Sequence, residues 1–281
     1  MTAAPHGDLA WREALSRVLA CGERVSPRGM ETRELLHSNL IRIDMSRAVV
    51  TSPERRLNYR FQCAEALWIL SGDDRLEPLA RYVPRMSNFS DDGVTLAGAY
   101  GPRVVSQLPW VVDQLLRDRD TRQVVLTIWE RTPKPSKDVP CTVAMSFSIR
   151  SGQLHQHVFM RSSDVWMGVP YDMFSFSCIG LKVACEYNRR RDLLETVGSG
   201  APGPITPGVL SIAATSSHVY ARDFEDVERV LSSPQPEPVA PVPTDRVLSG
   251  DWKNLEIDIG VIRDGLGDGT YWTPRPPRRA R

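Results

Sequence analysis

The 281-residue sequence lacks the features that place many proteins in a broad class directly. It has no apolar run long enough to cross a membrane and no signal-peptide pattern at its start. Its formal net charge is only +1, so no overall positive field would attract nucleic acid. The five cysteines are odd in number and lack CxxC spacing, which is typical of reduced thiols. We therefore expect a cytoplasmic protein with no membrane and no nucleic-acid partner.

Lysine is also scarce, because the 35 basic residues are nearly all arginine. The guanidinium fork matches the oxygens of a phosphate group, so this composition suits a protein that binds phosphate. No metal site is predicted, since His155 and His157 stand two residues apart without a third ligand nearby. Hydrophobic residues make up 41% of the chain, which is ordinary for a globular protein with a full core.

The order of periodic segments predicts an α+β fold in a single domain over residues 1–281, because no regular βαβ alternation or internal repeat is visible. The patterns predict helices at 9–21, 59–70, 76–82, 104–117, 172–185 and 224–231, and strands at 39–50, 123–129, 143–149, 154–160, 209–220 and 255–262. Three stretches stand apart in composition. We expect a surface insertion at 189–207, a proline-rich linker at 232–243 and a disordered basic tail at 273–281.

The stretch 139–172 concentrates the residues that could carry chemistry. Cys141 follows a proline and opens an alternating apolar run typical of a half-buried strand: Val143, Met145, Phe147 and Ile149. Ser151-Gly152 is a turn signal, and a second strand returns after it. A polar cluster around Arg161 then precedes a helix start. We therefore expect a thiol, an arginine and two acids at one sheet edge.

This stretch resembles the signature of the thymidylate synthase family. The family pattern PC(H) … QRSxDxxLGxPFN is similar to PC, a hairpin and RSSDVWMGVPYD in this chain, and the resemblance covers roughly residues 24–220. It implies the thymidylate synthase fold, a mixed sheet flanked by helices that packs against the sheet of its twin in a homodimer. It also implies 5,10-methylenetetrahydrofolate as cofactor and a pyrimidine nucleoside monophosphate as substrate.

The resemblance implies that Cys141 is the nucleophile, whose thiolate would attack C6 of the pyrimidine and make C5 reactive. Most free cysteines are buried and inert, so the residues alone favour that interpretation for Cys141. The order of the family motifs around it favours the nucleophile instead. Glu65 matches the family's catalytic glutamate, and its apolar flanks predict partial burial and a raised pKa suited to acid–base work. Tyr100 would help to position water and protons, and Asp164 would lie near the folate and the base. The other cysteines are expected on apolar helix faces: Cys21, Cys63, Cys178 and Cys185.

Four residues match the family's phosphate-binding positions. Arg161 and Ser162 form the RS pair, and Arg28 matches the arginine of the phosphate loop. Arg122 matches an arginine that reaches across the dimer to the partner's phosphate site. The family often has two consecutive arginines there, whereas this chain has Arg122-Gln123. Taken alone, Arg122 is equally well interpreted as a solvated surface charge.

Two further residues match the family's HxY pair. His218 and Tyr220 stand at i and i+2 in a predicted strand, so their side chains point to the same face. The resemblance implies that they bind the 3′-hydroxyl of the sugar.

Asp172 replaces the asparagine that ends the family motif. A carboxylate has no donor for O4 of uracil, and an unpaired buried acceptor costs about 1–3 kcal/mol. Cytosine instead offers N4–H₂, and its N3 can bond to the carboxyl group once either carries a proton. Asp172 therefore favours cytosine, and within the resembling family this change marks the cytidylate hydroxymethylase branch. A helix N-cap role for Asp172 is the alternative interpretation.

We therefore predict a folate-dependent hydroxymethylase that adds water to an exocyclic methylene at C5 of dCMP or CMP. The region upstream of Tyr100 has Met86 and Phe89 in place of the family's usual tryptophans, which leaves room for water. Ser162 keeps the RS pair of the family's deoxynucleotide enzymes, so dCMP is favoured over CMP. A dCMP methylase, a divergent thymidylate synthase and a non-catalytic nucleotide- or RNA-binding protein remain the alternatives.

Overall fold

One mixed β-sheet carries most of the residues discussed above. The computed structural model describes residues 4–198 and 200–264, so the predicted tail at 273–281 lies outside the described residues. The strands are β1 (Glu23–Val25), β2 (Thr32–Asp44), β3 (Val125–Thr127), β4 (Thr142–Arg150), β5 (Gln153–Met160), β6 (Ser163–Asp164) and β7 (Thr206–Tyr220). Within the described part of the chain these seven strands form one sheet in the order β1-β2-β7-β5-β4-β3, with β6 beside β7. β5 and β6 run parallel to β7, and the remaining pairs are antiparallel.

Helices flank this sheet, which confirms the α+β fold predicted from the sequence. They are α1 (Gly7–Cys21), α2 (Tyr59–Ser71), α3 (Glu77–Ala80), α4 (Tyr100–Arg117), α5 (Val169–Thr196), α6 (Phe224–Ser232), α7 (Thr244–Leu248) and α8 (Trp252–Asp264). Helix α5 is buried over most of its circumference from Val169 to Asn188, and it contacts α2, α4, β5 and β7. A helix that is apolar on nearly all sides belongs in a core, so α5 forms the centre of the molecule.

Local sequence signals set the ends of α2, the helix that carries Glu65. The Asn58 side chain accepts a hydrogen bond from the N–H of Phe61 and caps the helix start. Gly72 ends the helix at φ 77°, a left-handed conformation that glycine adopts without steric cost. The orientation of Glu65 is thus fixed by ordinary capping chemistry at both ends of its helix.

The hairpin of β4 and β5 forms as the sequence predicts. Ser151 (φ 52°) and Gly152 (φ 73°) both have positive φ, which is the backbone of a tight two-residue hairpin turn. One detail of the predicted alternation was wrong. A bulge between Thr142 and Ala144 buries Thr142 and leaves Val143 exposed, because the extra residue reverses the side-chain order at the strand start.

Two predicted strands differ from the structure. Residues 255–262, predicted as a strand, lie in α8, which packs against α2 and buries Leu255 and Ile259 four positions apart. A short apolar run does not distinguish strand from helix, and here helical spacing prevails. The strand predicted at 39–50 is β2, which starts at Thr32 and ends at Asp44.

Helix α5 is longer than predicted and continues to Thr196. The first part of the stretch 189–207 is therefore helical, and its end belongs to β7. Cys63, Cys178 and Cys185 are buried as expected, whereas Cys21 is exposed at the end of α1. The apolar helix face expected for Cys21 was wrong, because the last turn of α1 leaves the core.

The face of the sheet opposite α5 is only partly covered by the described residues. On β5 it carries the half-buried His155 and His157 and the exposed Phe159. His157 and Phe159 meet edge to face with ring centroids 4.4 Å apart. Burial lowers the pKa of both histidines, and the charges of Arg42 and Arg150 add to the shift of His155.

Candidate active site

A cleft of about 960 Å³ opens where β4 begins and where β5 and β7 end. It collects most of the residues that the sequence singled out, from segments far apart in the chain. Its lining includes Arg28, Tyr100, Cys141, Arg161, Ser162, Asp164, His218 and Tyr220. These are eight of the eleven residues for which a role was predicted.

A smaller pocket of about 160 Å³ continues the cleft into the core. Gly98, Tyr100 and Asp138 line both spaces, so the two are adjoining compartments of one site. Glu65 and Asp172 line the inner pocket. Arg122 lines neither space, and it is exposed on the segment before β3.

Cys141 stands at the residue before β4, beside the guanidinium group of Arg161. Arg161 donates hydrogen bonds to the carbonyl oxygens of Pro140 (2.9 Å) and Val139 (2.8 Å), and its Nη2 lies 3.7 Å from the Cys141 Sγ. Burial raises the pKa of the Cys141 thiol, and the charge of Arg161 opposes this effect. The free protein thus holds a protonated thiol beside a guanidinium group that can stabilise its thiolate.

Glu65 and Asp172 form a pair of acids in the inner pocket. Burial raises the pKa of Glu65 to about 8, and the charge of Asp172 adds to this. Burial likewise raises the pKa of Asp172 to about 7, with a further contribution from Asp164. Two carboxyl groups that titrate near neutral pH can hold and deliver protons, which is the requirement for acid–base work on a base ring.

The alternative role of Asp172 as a helix N-cap was wrong. Helix α5 begins at Val169 with Gly168 as its N-cap residue, and Pro170 occupies the first turn. The N–H of Asp172 already bonds to the Gly168 carbonyl, so Asp172 lies inside the helix. Its side chain is therefore available to the pocket.

Tyr100 joins the two compartments at the start of α4. Its hydroxyl accepts a hydrogen bond from the N–H of Thr142 at 3.3 Å. Its ring stacks on Phe176 at a centroid distance of 6.4 Å. Burial raises the pKa of Tyr100, with Asp172 and Cys141 adding to the effect, so the phenol stays protonated and serves as a hydrogen-bond donor.

Asp164 and His218 face each other on the parallel strands β6 and β7. One Asp164 oxygen accepts hydrogen bonds from the N–H groups of Trp166 (3.0 Å) and Met167 (2.8 Å). Burial raises the pKa of Asp164 and lowers that of His218, while their mutual attraction opposes both shifts. His218 is therefore a neutral hydrogen-bonding group near neutral pH.

The outer rim of the cleft carries the cations and hydroxyls that suit a phosphate and a sugar. Arg28 lies on a 3-10 turn, Pro27–Gly29, and its Nη2 donates to the hydroxyl of Tyr220 at 3.4 Å. The rings of His218 and Tyr220 meet edge to face at 5.2 Å, so the two side chains share one face as predicted. Arg28 has φ 55°, a left-handed conformation that places an exposed guanidinium over the cleft.

Three residues that line the cleft were not predicted from the sequence. Trp129 lies beneath the Arg161 guanidinium at 5.9 Å from the ring centroid, and Lys137 and Asp138 lie on the loop before Cys141. Their proximity to Cys141 in the sequence is the signal that could have found the last two. Among residues 4–198 and 200–264, no group of three or more His, Cys, Asp or Glu is placed to hold a metal ion. No helix in these same ranges is both long and apolar enough to cross a membrane.

Comparison with known proteins identifies relatives of this chain in phages. Three relatives are each named deoxyuridylate hydroxymethyltransferase. The protein of Bacillus phage SP01 is 29% identical over an alignment of 262 residues, and the match covers 84% of this chain and 64% of the relative. That of Delftia phage PhiW-14 is 30% identical over 74% of this chain and 59% of its own length. That of Pseudomonas phage M6 is 39% identical over 41% of this chain and 35% of its own length. The matches thus span less than two thirds of each relative.

The family model described as thymidylate synthase matches residues 10–249, which is most of the chain. The motifs around Cys141, the mixed sheet and the cleft all lie within this match. The chain therefore belongs to the thymidylate synthase family.

Proposed function

We propose that the protein hydroxymethylates C5 of a pyrimidine nucleoside monophosphate, with a cytidylate, dCMP before CMP, as the preferred substrate. The observation that carries this proposal is Asp172, a carboxyl group in the inner pocket where the family has an asparagine. Family membership supports an enzyme that draws its one-carbon unit from a folate.

The cleft has the size and the walls for a folate beside a nucleotide. Phe89 and Trp129 supply aromatic surface, and Lys137 supplies a cation for a carboxylate. The proposed cofactor is 5,10-methylenetetrahydrofolate, which supplies a one-carbon unit at the oxidation level of formaldehyde. Phe89, Trp129 and Asp164 are the residues that would hold it.

The chain's own residues divide the work of nucleotide binding and activation. Arg28, Arg161 and Ser162 bind the phosphate, and His218 and Tyr220 bind the sugar hydroxyl. Arg161 stabilises the thiolate of Cys141 as the sulfur adds to C6. Tyr100 and Glu65 orient water and move protons at the ring.

The protonation state of Asp172 decides how the base is recognised. As a neutral acid, its hydroxyl donates to N3 of cytosine while its carbonyl accepts from N4–H₂. Full transfer of that proton to N3 withdraws electrons from the ring and favours attack at C6. A pKa of about 7 places Asp172 where this transfer is possible at neutral pH.

Deoxyuridylate is the second candidate substrate, because the relatives carry it in their names. A neutral Asp172 also fits uracil, since its carbonyl accepts from N3–H and its hydroxyl donates to O4. Ionised Asp172 leaves O4 facing a negative charge. We therefore expect activity on dUMP to fall above the Asp172 pKa more steeply than activity on dCMP.

Three features support water as the final acceptor of the one-carbon unit. Met86 lines the inner pocket and Phe89 lines the cleft, so neither space is closed by a tryptophan from this segment. The buried Ser175 Oγ in the inner pocket has no hydrogen-bond partner among the described residues, which suits an ordered water. The half-exposed Phe89 leaves the cleft open to solvent.

We further propose a homodimer formed through the outer face of the sheet. Phe159 and Val125 are exposed apolar side chains on this face. Arg122 is exposed and outside the cleft of its own chain, which suits a residue that reaches the partner's phosphate site.

The test is purified protein with 5,10-methylenetetrahydrofolate and dCMP, CMP or dUMP in turn, with the products identified by mass. Addition of CH₂O to a cytidylate supports the proposal, and the same addition to dUMP alone supports the second candidate. Addition of CH₂ with formation of dihydrofolate would establish a methylating enzyme instead. Absence of product from all three would favour a non-catalytic nucleotide-binding protein, with Cys141→Ser as the matched control.

A further inference from the structure

Asp138 occupies the boundary between the two compartments of the site. It is on the loop before β4, three residues ahead of Cys141, and it lines both the cleft and the inner pocket. Its charge raises the pKa of the Cys141 thiol, after the larger effects of burial, the opposing Arg161 and Asp172. A carboxyl group is thus held between Cys141 and the inner pocket.

The backbone holds this carboxyl group in a fixed position. The N–H of Gly98 donates to Asp138 Oδ2 at 2.7 Å, and the N–H of Asp138 donates to Ser136 Oγ at 2.9 Å. Ser136 in turn donates to Asp91 at 2.6 Å. A Cβ atom at Gly98 would lie 2.6 Å from the Asp138 carbonyl oxygen and 2.9 Å from its Cγ. Only glycine permits this approach.

The second oxygen of the carboxyl group is free to act. Within residues 4–198 and 200–264, no donor bonds to Asp138 Oδ1, while Oδ2 is engaged by Gly98. Burial raises the pKa of Asp138, and the Gly98 hydrogen bond and the charge of Arg103 oppose this. A partly desolvated carboxylate with one open oxygen is a stronger proton acceptor than an exposed one.

The other acids are less suited to accept a proton at this point. Asp172 is assigned to N3 and N4 of the base, and burial raises the pKa of Glu65 to about 8, so Glu65 already holds a proton at neutral pH. Tyr100 stays protonated, and Asp164, which faces His218 across β6 and β7, lines the cleft but not the inner pocket.

We propose that Asp138 is the general base that deprotonates the water attacking the exocyclic carbon on C5. This role rests on the proposed hydroxymethylation. The water oxygen forms a bond to the exocyclic CH₂, its proton passes to Asp138 Oδ1, and the exocyclic C=C pair moves into the ring as an enolate or enamine. Return of that pair reforms the C5=C6 bond and expels the thiolate of Cys141. The proton leaves Asp138 through the open cleft.

The test is Asp138→Asn with C5-tritiated nucleotide and 5,10-methylenetetrahydrofolate. Loss of the C5 hydrogen precedes water attack, so tritium release should continue close to the wild-type rate. Formation of the hydroxymethyl product should fall about 10²-fold or more, the usual contribution of a general base. With 2-mercaptoethanol present, the accumulated methylene species should appear by mass as the thioether. Tritium release also verifies that the variant is folded.

Two further variants distinguish a general base at Asp138 from a residue that only supports the structure. Asp138→Ala should regain part of its hydroxymethyl product when formate is added, because a free carboxylate can occupy the vacated space. Glu130 pairs with Arg103 at the nearby rim, outside both compartments. Glu130→Gln removes this charge and should leave the ratio of hydroxymethyl product to released tritium unchanged.

The outcomes distinguish this inference from the proposed function. An active wild type whose Asp138→Asn variant makes the hydroxymethyl product at an unchanged rate overturns the role of Asp138 alone. A higher KM for the folate with no change in product ratio also overturns it, since Asp138 would then only bind the cofactor. A wild type that yields the methyl product or no product overturns both.

Discussion

Replacement of Asp172 by asparagine tests how the protein recognises the pyrimidine base. The amide can donate to O4 and accept from N3–H, so it fits uracil at every pH. With cytosine it can hydrogen-bond to N3 but cannot transfer a proton to it. Loss of that proton transfer should lower kcat/KM for dCMP about 10²- to 10⁴-fold. Relief of the unpaired O4 should raise kcat/KM for dUMP above pH 7 by about 5- to 150-fold, which corresponds to about 1–3 kcal/mol.

The same variant should change the titration of Glu65. The negative charge of Asp172 contributes to the raised Glu65 pKa of about 8, so its removal should lower that pKa. The assay is kcat/KM for dCMP and dUMP from pH 6 to 9, in which the limb that reports Glu65 should move to lower pH. Ser177→Ala is the matched control, because it changes the same helix without altering charge and Ser177 lines neither compartment. Unchanged discrimination between dCMP and dUMP in Asp172→Asn would refute the assignment of base recognition to this residue.

Three other changes test separate parts of the structure. Cys141→Ser should abolish turnover yet retain nucleotide binding by calorimetry, and retained turnover would exclude a covalent mechanism. Arg161→Ala should slow alkylation of Cys141 by iodoacetamide by up to about tenfold, because losing the guanidinium charge raises the thiol pKa by up to about one unit. Arg28→Ala should leave the alkylation rate unchanged. Asn188→Ala should lower the free energy of unfolding in urea by about 2–4 kcal/mol, because it strands two carbonyl groups and one N–H that Asn188 now satisfies. A loss below about 1 kcal/mol would mean that water replaces these bonds.

Features encoded in neighbouring residues could be predicted from the sequence. The hairpin follows from alternation and from Ser151-Gly152, and the placement of His218 with Tyr220 follows from strand geometry. The motif around Cys141 indicated the family and thereby the cleft. In each case the residues that interact are close in the chain or belong to one recognised pattern.

Features set by tertiary contacts could not be predicted. The position of the Asp138 carboxyl group depends on a hydrogen bond from the N–H of Gly98, a residue 40 positions away. The helix α8 is defined by the surface of α2 on which it packs, and its short apolar run fits either type of secondary structure. The exposure of Val143 depends on a bulge that hydrophobic alternation does not reveal.

The parallel pairing of β5 with β7 has a consequence for how the protein folds. The chain between them must cross the sheet, and α5 fills that crossover. Strands so far apart in sequence pair late in folding, because the chain must lose the entropy of the intervening loop before the pairing stabilises it. The residues of the cleft come from both sides of this crossover. We therefore expect nucleotide binding to appear only in the last kinetic phase of refolding, after the helical signal has recovered.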